Sequence, residues 1–166
     1  MVLKVQNGSQ IYYIHGVSFD NMPRKEKVIF LSAHNSARSQ MAEGLLRHLY
    51  GDRYVARSAG VDPRGVDPLA VEVMAERGID ISRQRSKSSK ALWRTAFDVV
   101  AKIRDFDSEP CPLFPSGRWR AFIALKDPLT LEDAQERRRA LRAARDDMER
   151  WIVEIFGEEG FRNDDG

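Results

Sequence analysis

Residues 28–39 read VIFLSAHNSARS: four consecutive apolar residues, Val28-Ile29-Phe30-Leu31, run directly into a loop of small and polar residues. An unbroken apolar run of this kind fits a strand covered on both faces, as in a parallel sheet, and not one with a wet side. Beyond the loop, Met41, Ala42, Leu45, Leu46 and Leu49 fall on one helical stripe that ends near Gly51. Strand, loop and helix in that order open a βαβ unit.

The alternation continues downstream. Residues 54–58 read as a second short strand, and Asp67-Pro68 supplies an N-cap and a first-turn proline for a helix that turns Leu69, Ala70, Val73 and Met74 inward and ends at Gly78. Residues 97–103 (FDVVAKI) read as a third strand, and residues 119–125 (WRAFIAL) as a fourth, after the turn-rich segment 110–117. A last long helix has its stripe at Leu141, Ala144, Met148, Trp151, Ile152 and Ile155. The expected fold is α/β, a parallel sheet with helices on both sides and right-handed crossovers. Upstream, residues 2–6 and 11–14 are short β-favouring runs around Asn7-Gly8, a hairpin turn signal. Residues 1–26 are thus expected as an added hairpin, with a disordered leader as the open alternative, residues 27–156 as one domain and residues 157–166 as a frayed tail.

Composition narrows the function classes. The chain has 166 residues, 27 basic and 25 acidic, for a net charge of +2. That balance excludes a strongly basic nucleic-acid binder. The single cysteine, Cys111, rules out an internal disulfide framework and a thiolate zinc site made by this chain alone, and suits a reducing cytoplasm. No apolar run approaches the roughly 18 residues of a membrane span, and the first residues lack the apolar stretch of a signal peptide. Neither metal nor nucleotide is implied, for there is no clustered ligand set and no G-x-x-x-x-G-K-[ST] loop.

In a parallel sheet the ligand sits outside the carboxyl ends of the strands, so the loop after Leu31 is the first candidate site. It reads Ser32-Ala33-His34-Asn35-Ser36-Ala37-Arg38-Ser39, with a helix beginning around Ala37. Small residues let successive N–H groups point into one hollow, to which the helix adds its positive end, a cradle for a tetrahedral oxyanion. Arg38 can close it as a planar fork on two anion oxygens. An ordinary polar loop with a surface arginine is the other reading of this spacing.

Residues 32–43, SAHNSARSQMAE, resemble the phosphate-binding loop of the arsenate reductases of the low-molecular-weight protein tyrosine phosphatase family. Further segments resemble the family in order: Arg57-Ser58-Ala59-Gly60, DPRGVDP from Asp62, GIDIS from Gly78, Phe97-Asp98-Val99-Val100, Cys111-Pro112 and Asp127-Pro128. The resemblance covers roughly residues 27–156. The resemblance implies a three-layer fold on a four-stranded parallel sheet, and a cysteine thiolate at the head of the loop that attacks phosphorus or arsenic. Ser32 stands at that position. It also implies that Arg38 binds the anion and stabilises the transition state, that Asn35 holds the loop's shape, that Ser39 hydrogen-bonds the group at 32, and that Asp127 is the general acid.

A hydroxyl, unlike a thiol in such a cradle, needs a dedicated base, and His34 is the only nearby candidate. Thioredoxin-coupled members of the family relay a disulfide through two further cysteines. Cys111 resembles the last of them, but Arg104 occupies the place of the middle one. A restored nucleophile would therefore depend on an external thiol of the thioredoxin, glutathione or mycothiol type, the glutathione and mycothiol schemes fitting better. Neither Ala33 nor His34 offers an aromatic wall for phosphotyrosine, which favours a small inorganic anion and a role in arsenic detoxification. The basic run Arg83, Arg85, Lys87, Lys90 and Arg94 could focus anions toward the cradle or be a solvated surface. Three readings follow. The first is an arsenate reductase whose nucleophilic cysteine has been replaced, the second a natural non-catalytic binder or sensor of arsenate or phosphate, and the third a low-molecular-weight phosphatase.

Overall fold

A computed structural model describes residues 2–7, 10–15, 24–105 and 114–157. Cys111, most of the tail and Gly8 of the hairpin turn signal lie outside the described residues. Strands β1 (Val2–Asn7) and β2 (Gln10–His15) pair antiparallel, Val2 opposite His15 and Asn7 opposite Gln10.

The main sheet is built from β3 (Glu26–Ser32), β4 (Tyr54–Gly60), β5 (Val99–Arg104) and β6 (Trp119–Ala124). All four run parallel in the order β4-β3-β5-β6. With β3 central, Val28, Ile29, Phe30 and Leu31 are all fully buried, as the unbroken apolar run requires. Because side chains alternate across a strand, Val28 and Phe30 enter one core and Ile29 and Leu31 another.

The two faces are covered unequally. Helices α1 (Arg38–Tyr50), α2 (Pro68–Ala75) and α3 (Ala134–Phe156) all pack on the Val28 and Phe30 side. There Phe30 meets the rings of Trp151 and Phe156 edge-on, at centroid separations of 6.4 and 6.0 Å. On the other side, among the described residues, Ile29, Leu31 and Val100 are covered by Phe97, Phe114 and Leu92, the last from a 3-10 helix at Ser89–Leu92. Two of the three helices begin at a capping aspartate. Asp67 caps α2 by accepting from the N–H groups of Leu69 and Ala70, and Asp133 caps α3 through the N–H of Glu136.

Strand β5 begins at Val99, two residues later than the apolar run suggests. Asp98 is occupied otherwise. Its N–H donates to Lys27 O at 2.8 Å, while its carboxylate accepts from Lys27 N at 2.8 Å and from the Arg24 guanidinium at 2.8 and 3.0 Å. This staple ties the start of β3 to the start of β5, so the two strands leave in register toward the same end of the sheet. No described helix is long and apolar enough to cross a membrane.

The Arg24 guanidinium, with help from the Lys27 N–H, holds the Asp98 carboxyl below the usual carboxylate range against the opposing effect of burial. A carboxyl depressed in the folded state stabilises it above the unfolded value of about 3.9, and that contribution is lost as pH falls through the folded value. Asp98→Asn should lower stability at pH 7 and reduce the further loss on acidification below about pH 4. Urea midpoints at neutral and acid pH check this, and an unchanged acid slope would contradict it.

Candidate functional site

Parallel strands bring their carboxyl ends to one edge of the sheet, where Ser32 and Gly60 stand side by side. The loop between β3 and α1 curls there, and its turning point is Asn35, at φ 47° the only described non-glycine residue in the left-handed region. Asparagine tolerates this conformation better than most residues. Neighbours hold it on every polar atom. Asn35 Nδ2 donates to Ser39 Oγ at 2.8 Å, and Oδ1 accepts from Gln40 Nε2 and from Lys87 N, both at 2.8 Å. Its carbonyl accepts from Ser86 Oγ at 2.9 Å, and its N–H reaches Ser32 Oγ at 3.2 Å.

Gly60 makes room for this curl. A Cβ there would lie 2.8 Å from Ala33 O and 2.8 Å from Asn35 N. From the other side, Gln40 Nε2 bridges Asn35 to Arg85 O at 3.0 Å, and Gln84 Nε2 donates to Gln40 Oε1 at 2.8 Å. The segment 84–87 is thereby bolted to the back of the loop.

The result is an unusual helix start. Ala37 occupies the N-cap of α1 and supplies no side-chain cap, in contrast to Asp67 and Asp133 on the other two helices. Among the described residues no hydrogen bond engages the N–H groups of Ser36, Ala37 or Ser39, although all three residues are buried. Buried donors without partners are costly, and at a helix N-terminus they are suited to an anion.

Arg38 is 3% exposed, and its fork is aimed across the sheet edge. Nη1 donates to Leu125 O at 2.9 Å and Nη2 stands 3.1 Å from Asp127 Oδ2. Asp127 is anchored in turn, because its Oδ1 accepts from Leu129 N at 3.1 Å and caps a 3-10 helix at Pro128–Thr130. Beside the pair lies an open cleft of about 310 Å³, bordered by Ser36, Val66, Pro68, Asp127 and Leu129.

The structure therefore brings together Ser32, Asn35, Arg38, Ser39 and Asp127, with Ala33, Ser36 and Ala37 forming the wall of the cradle. Ser32 Oγ lies 2.6 Å from Ser39 Oγ, and its other partner is Asn35 N. His34 is turned elsewhere. Its Nδ1 lies 3.3 Å from Asp62 O and 3.7 Å from Asp62 Oδ2, so the ring is engaged with the loop after β4 and leaves Ser32 without a basic partner among the described residues. Arg104 closes β5, and Cys111 lies outside the described residues. No group of three or more His, Cys, Asp or Glu among the described residues could hold a metal ion.

Gln40 and the backbone of Arg85 and Lys87 are parts of the site that the sequence did not single out. Gly60→Ala should displace Ala33 and Asn35 and, on the oxyanion reading of this loop, weaken phosphate binding by about tenfold or more, with the fold retained. Calorimetry beside circular dichroism checks this, and full affinity in the variant would contradict the close approach.

Residues 27–150 match the model of the family described as low molecular weight phosphotyrosine protein phosphatase. An arsenate reductase of Halalkalibacterium halodurans is 36% identical over 137 residues, covering 82% of this chain and 98% of the relative. One from Bacillus subtilis is 34% identical over 134 residues, covering 80% and 96%. Among solved structures, an arsenate reductase in the phosphate binding state superposes with TM-score 0.63 at 29% identity, covering 77% of this chain and 97% of the other. A thioredoxin-dependent arsenate reductase of Corynebacterium glutamicum superposes with TM-score 0.54 at 28% identity, covering 77% and 62%. A phosphatase from T. tengcongensis shares the fold, with TM-score 0.54 at 22% identity over 77% of this chain and 95% of that one. The parallel four-stranded sheet, the curled loop before α1 and these relatives agree: the chain belongs to the low molecular weight phosphotyrosine protein phosphatase family, with arsenate reductases among its relatives.

Proposed function

We propose that this chain is an arsenate reductase-type member of its family that binds arsenate or phosphate in the loop 32–39 and, with Ser32 at the head of that loop, does not reduce it. The observation that carries this reading is the uncapped start of α1, where the N–H groups of the buried residues Ser36, Ala37 and Ser39 make no described hydrogen bond, beside the buried side chain of Arg38. An anion in the hollow would take hydrogen bonds from Ser36, Ala37 and Ser39 N–H and draw the Arg38 guanidinium onto two of its oxygens. Asp127, freed from Arg38 by the anion's charge, is the group at the mouth that can deliver a proton to a departing oxygen.

Ser32 decides the outcome. A cradle of N–H donors stabilises a thiolate enough to make cysteine nucleophilic near neutral pH, whereas a hydroxyl needs a base. Ser39 Oγ and Asn35 N are the only described partners of Ser32 Oγ, and neither is a base. With cysteine at 32, the thiolate would form a sulfur–arsenic bond as one As–O bond breaks and water leaves with the proton of Asp127. An external thiolate would then attack that sulfur, the S–As electron pair would pass to arsenic, and arsenite would leave beside a mixed disulfide. A second external thiol would regenerate the cysteine, the two external thiols ending as a disulfide. Arg104 in place of a relay cysteine is the reason an external thiol is required.

The cleft beside the loop carries no Phe, Tyr or Trp, which disfavours phosphotyrosine as substrate. A non-catalytic oxyanion sensor shares the whole site, and restoring the nucleophile separates the two readings.

Titration calorimetry should show one arsenate or phosphate per chain. Arg38→Ala should weaken binding about 10- to 150-fold, the equivalent of about 1.5–3 kcal/mol for a hydrogen bond to a charged group. Unchanged affinity would place the anion elsewhere. Ser32→Cys should produce arsenite from arsenate in the presence of a low-molecular-weight thiol. Tight binding without turnover in that variant would identify an oxyanion-binding protein, and faster hydrolysis of an aryl phosphate would sink the reductase reading.

A further inference from the structure

Several basic side chains outside the oxyanion loop have acidic partners. Along α3, Arg138 pairs with Glu72, Arg142 with Glu76, and Arg145 with both Glu76 and Asp146, while Arg77 reaches Asp146 from the end of α2. A different pattern holds behind the loop. A depression of about 320 Å³ is lined by Arg47, Arg57, Arg83, Arg85 and Lys87, against two carboxylates, Glu43 and Asp80.

Both carboxylates are already engaged. Glu43 is buried and accepts from Ser58 Oγ at 2.5 Å, with Lys87 Nζ at 3.5 Å and Arg47 Nη1 at 3.9 Å. Asp80 accepts from Ser82 N at 2.8 Å, and Ser82 is the main reason its carboxyl is held below the ordinary range, with smaller help from Arg83 and Arg47. Arg47 also donates to Gln84 Oε1 at 2.8 Å. Among the described residues, the guanidiniums of Arg57, Arg83 and Arg85 make no hydrogen bond or ion pair. Three guanidiniums without a described hydrogen bond or ion pair thus line one hollow, whose two acids are engaged by Ser58, Ser82, Arg47 and Lys87.

We propose that this depression is a second anion site, for a small polyanion carrying two or more phosphoryl groups. Guanidinium forks match phosphate oxygens two at a time, and three of them exceed what one phosphate can use. The volume lies at the lower end of small-molecule sites, enough for a diphosphate and a modest substituent. The hollow holds no aromatic side chain, so the phosphoryl groups themselves supply the recognition. No residue of the loop 32–39 lines it, which makes it separable from the oxyanion cradle.

The test is titration of the full chain with inorganic pyrophosphate at an ionic strength of about 0.15 M, where scattered surface charge is largely screened. Arg38→Ala, which disables the cradle, should retain pyrophosphate binding. The combined variant Arg57→Ser, Arg83→Ser and Arg85→Ser should lose about tenfold or more of it. All three side chains are exposed, so this variant should melt cooperatively like the parent. A nucleoside diphosphate titrated in parallel separates the sources of the ligand, since tighter binding marks a nucleotide and equal binding a diphosphate group alone. The proposal is overturned if the parent does not bind pyrophosphate, if the triple variant binds it as the parent does, or if Arg38→Ala abolishes the binding. Phosphate affinity that survives Arg38→Ala would instead overturn the assignment of the loop and leave this site standing.

Discussion

Everything at the candidate site depends on one backbone conformation, the left-handed turn at Asn35. With φ at 47°, the chain turns sharply just ahead of Ala37, the uncapped start of α1. A non-glycine residue in that region persists only where its surroundings over-determine it. Asn35 is fixed by Ser39, Gln40, Ser86 and Lys87, through hydrogen bonds of 2.8–2.9 Å to its side chain and carbonyl. Gly60 on the neighbouring strand supplies the space, so three separate stretches of chain agree on one loop shape.

The sheet makes that agreement possible. Parallel register places Ser32 beside Gly60 at the same end, and the Asp98 staple sets β5 against β3 from the opposite end. Strand β6 then delivers Leu125 and Asp127 to Arg38, whose buried fork spans both. Burying an arginine is tolerable only with good acceptors, and here they are a carbonyl and a carboxylate at the mouth of the site. On the reading proposed above, an anion in the loop would compete with Asp127 for this one guanidinium, which would link occupancy of the loop to release of the acid.

Much of this was legible in the residues. Val28 to Leu31 declared a strand buried on both faces, the stripes of α1 and α3 declared their buried sides, and Asp67-Pro68 marked the start of α2. The position of the loop at the carboxyl end of β3 and its passage into a helix near Ala37 could be read from its small residues, whereas its role as an anion cradle is the reading proposed above. Other features had no local signal. Phe97 looks like strand but lies outside it, because Asp98 directs its carboxylate and N–H to Lys27, a partner 71 residues away. Gln40 reads as an ordinary helical residue until its contact with Arg85 O, 45 residues on, is seen. Nor does apolar periodicity say which face of a sheet a helix will cover, so the gathering of α1, α2 and α3 on one side was not foreseeable. The basic run 83–94 could not be weighed from its composition. Only the structure shows that Arg83 and Arg85 join Arg57 around one hollow whose two acids are engaged by Ser58, Ser82, Arg47 and Lys87.

The most direct test of the account is a crystal of the protein soaked in arsenate and measured with X-rays at the arsenic absorption edge. The account predicts one anomalous peak inside the loop, within hydrogen-bonding distance of the N–H groups of Ser36, Ala37 and Ser39 and of the Arg38 fork, close to Ser32 Oγ but not bonded to it. An empty loop, or arsenic held only elsewhere on the surface, would contradict it.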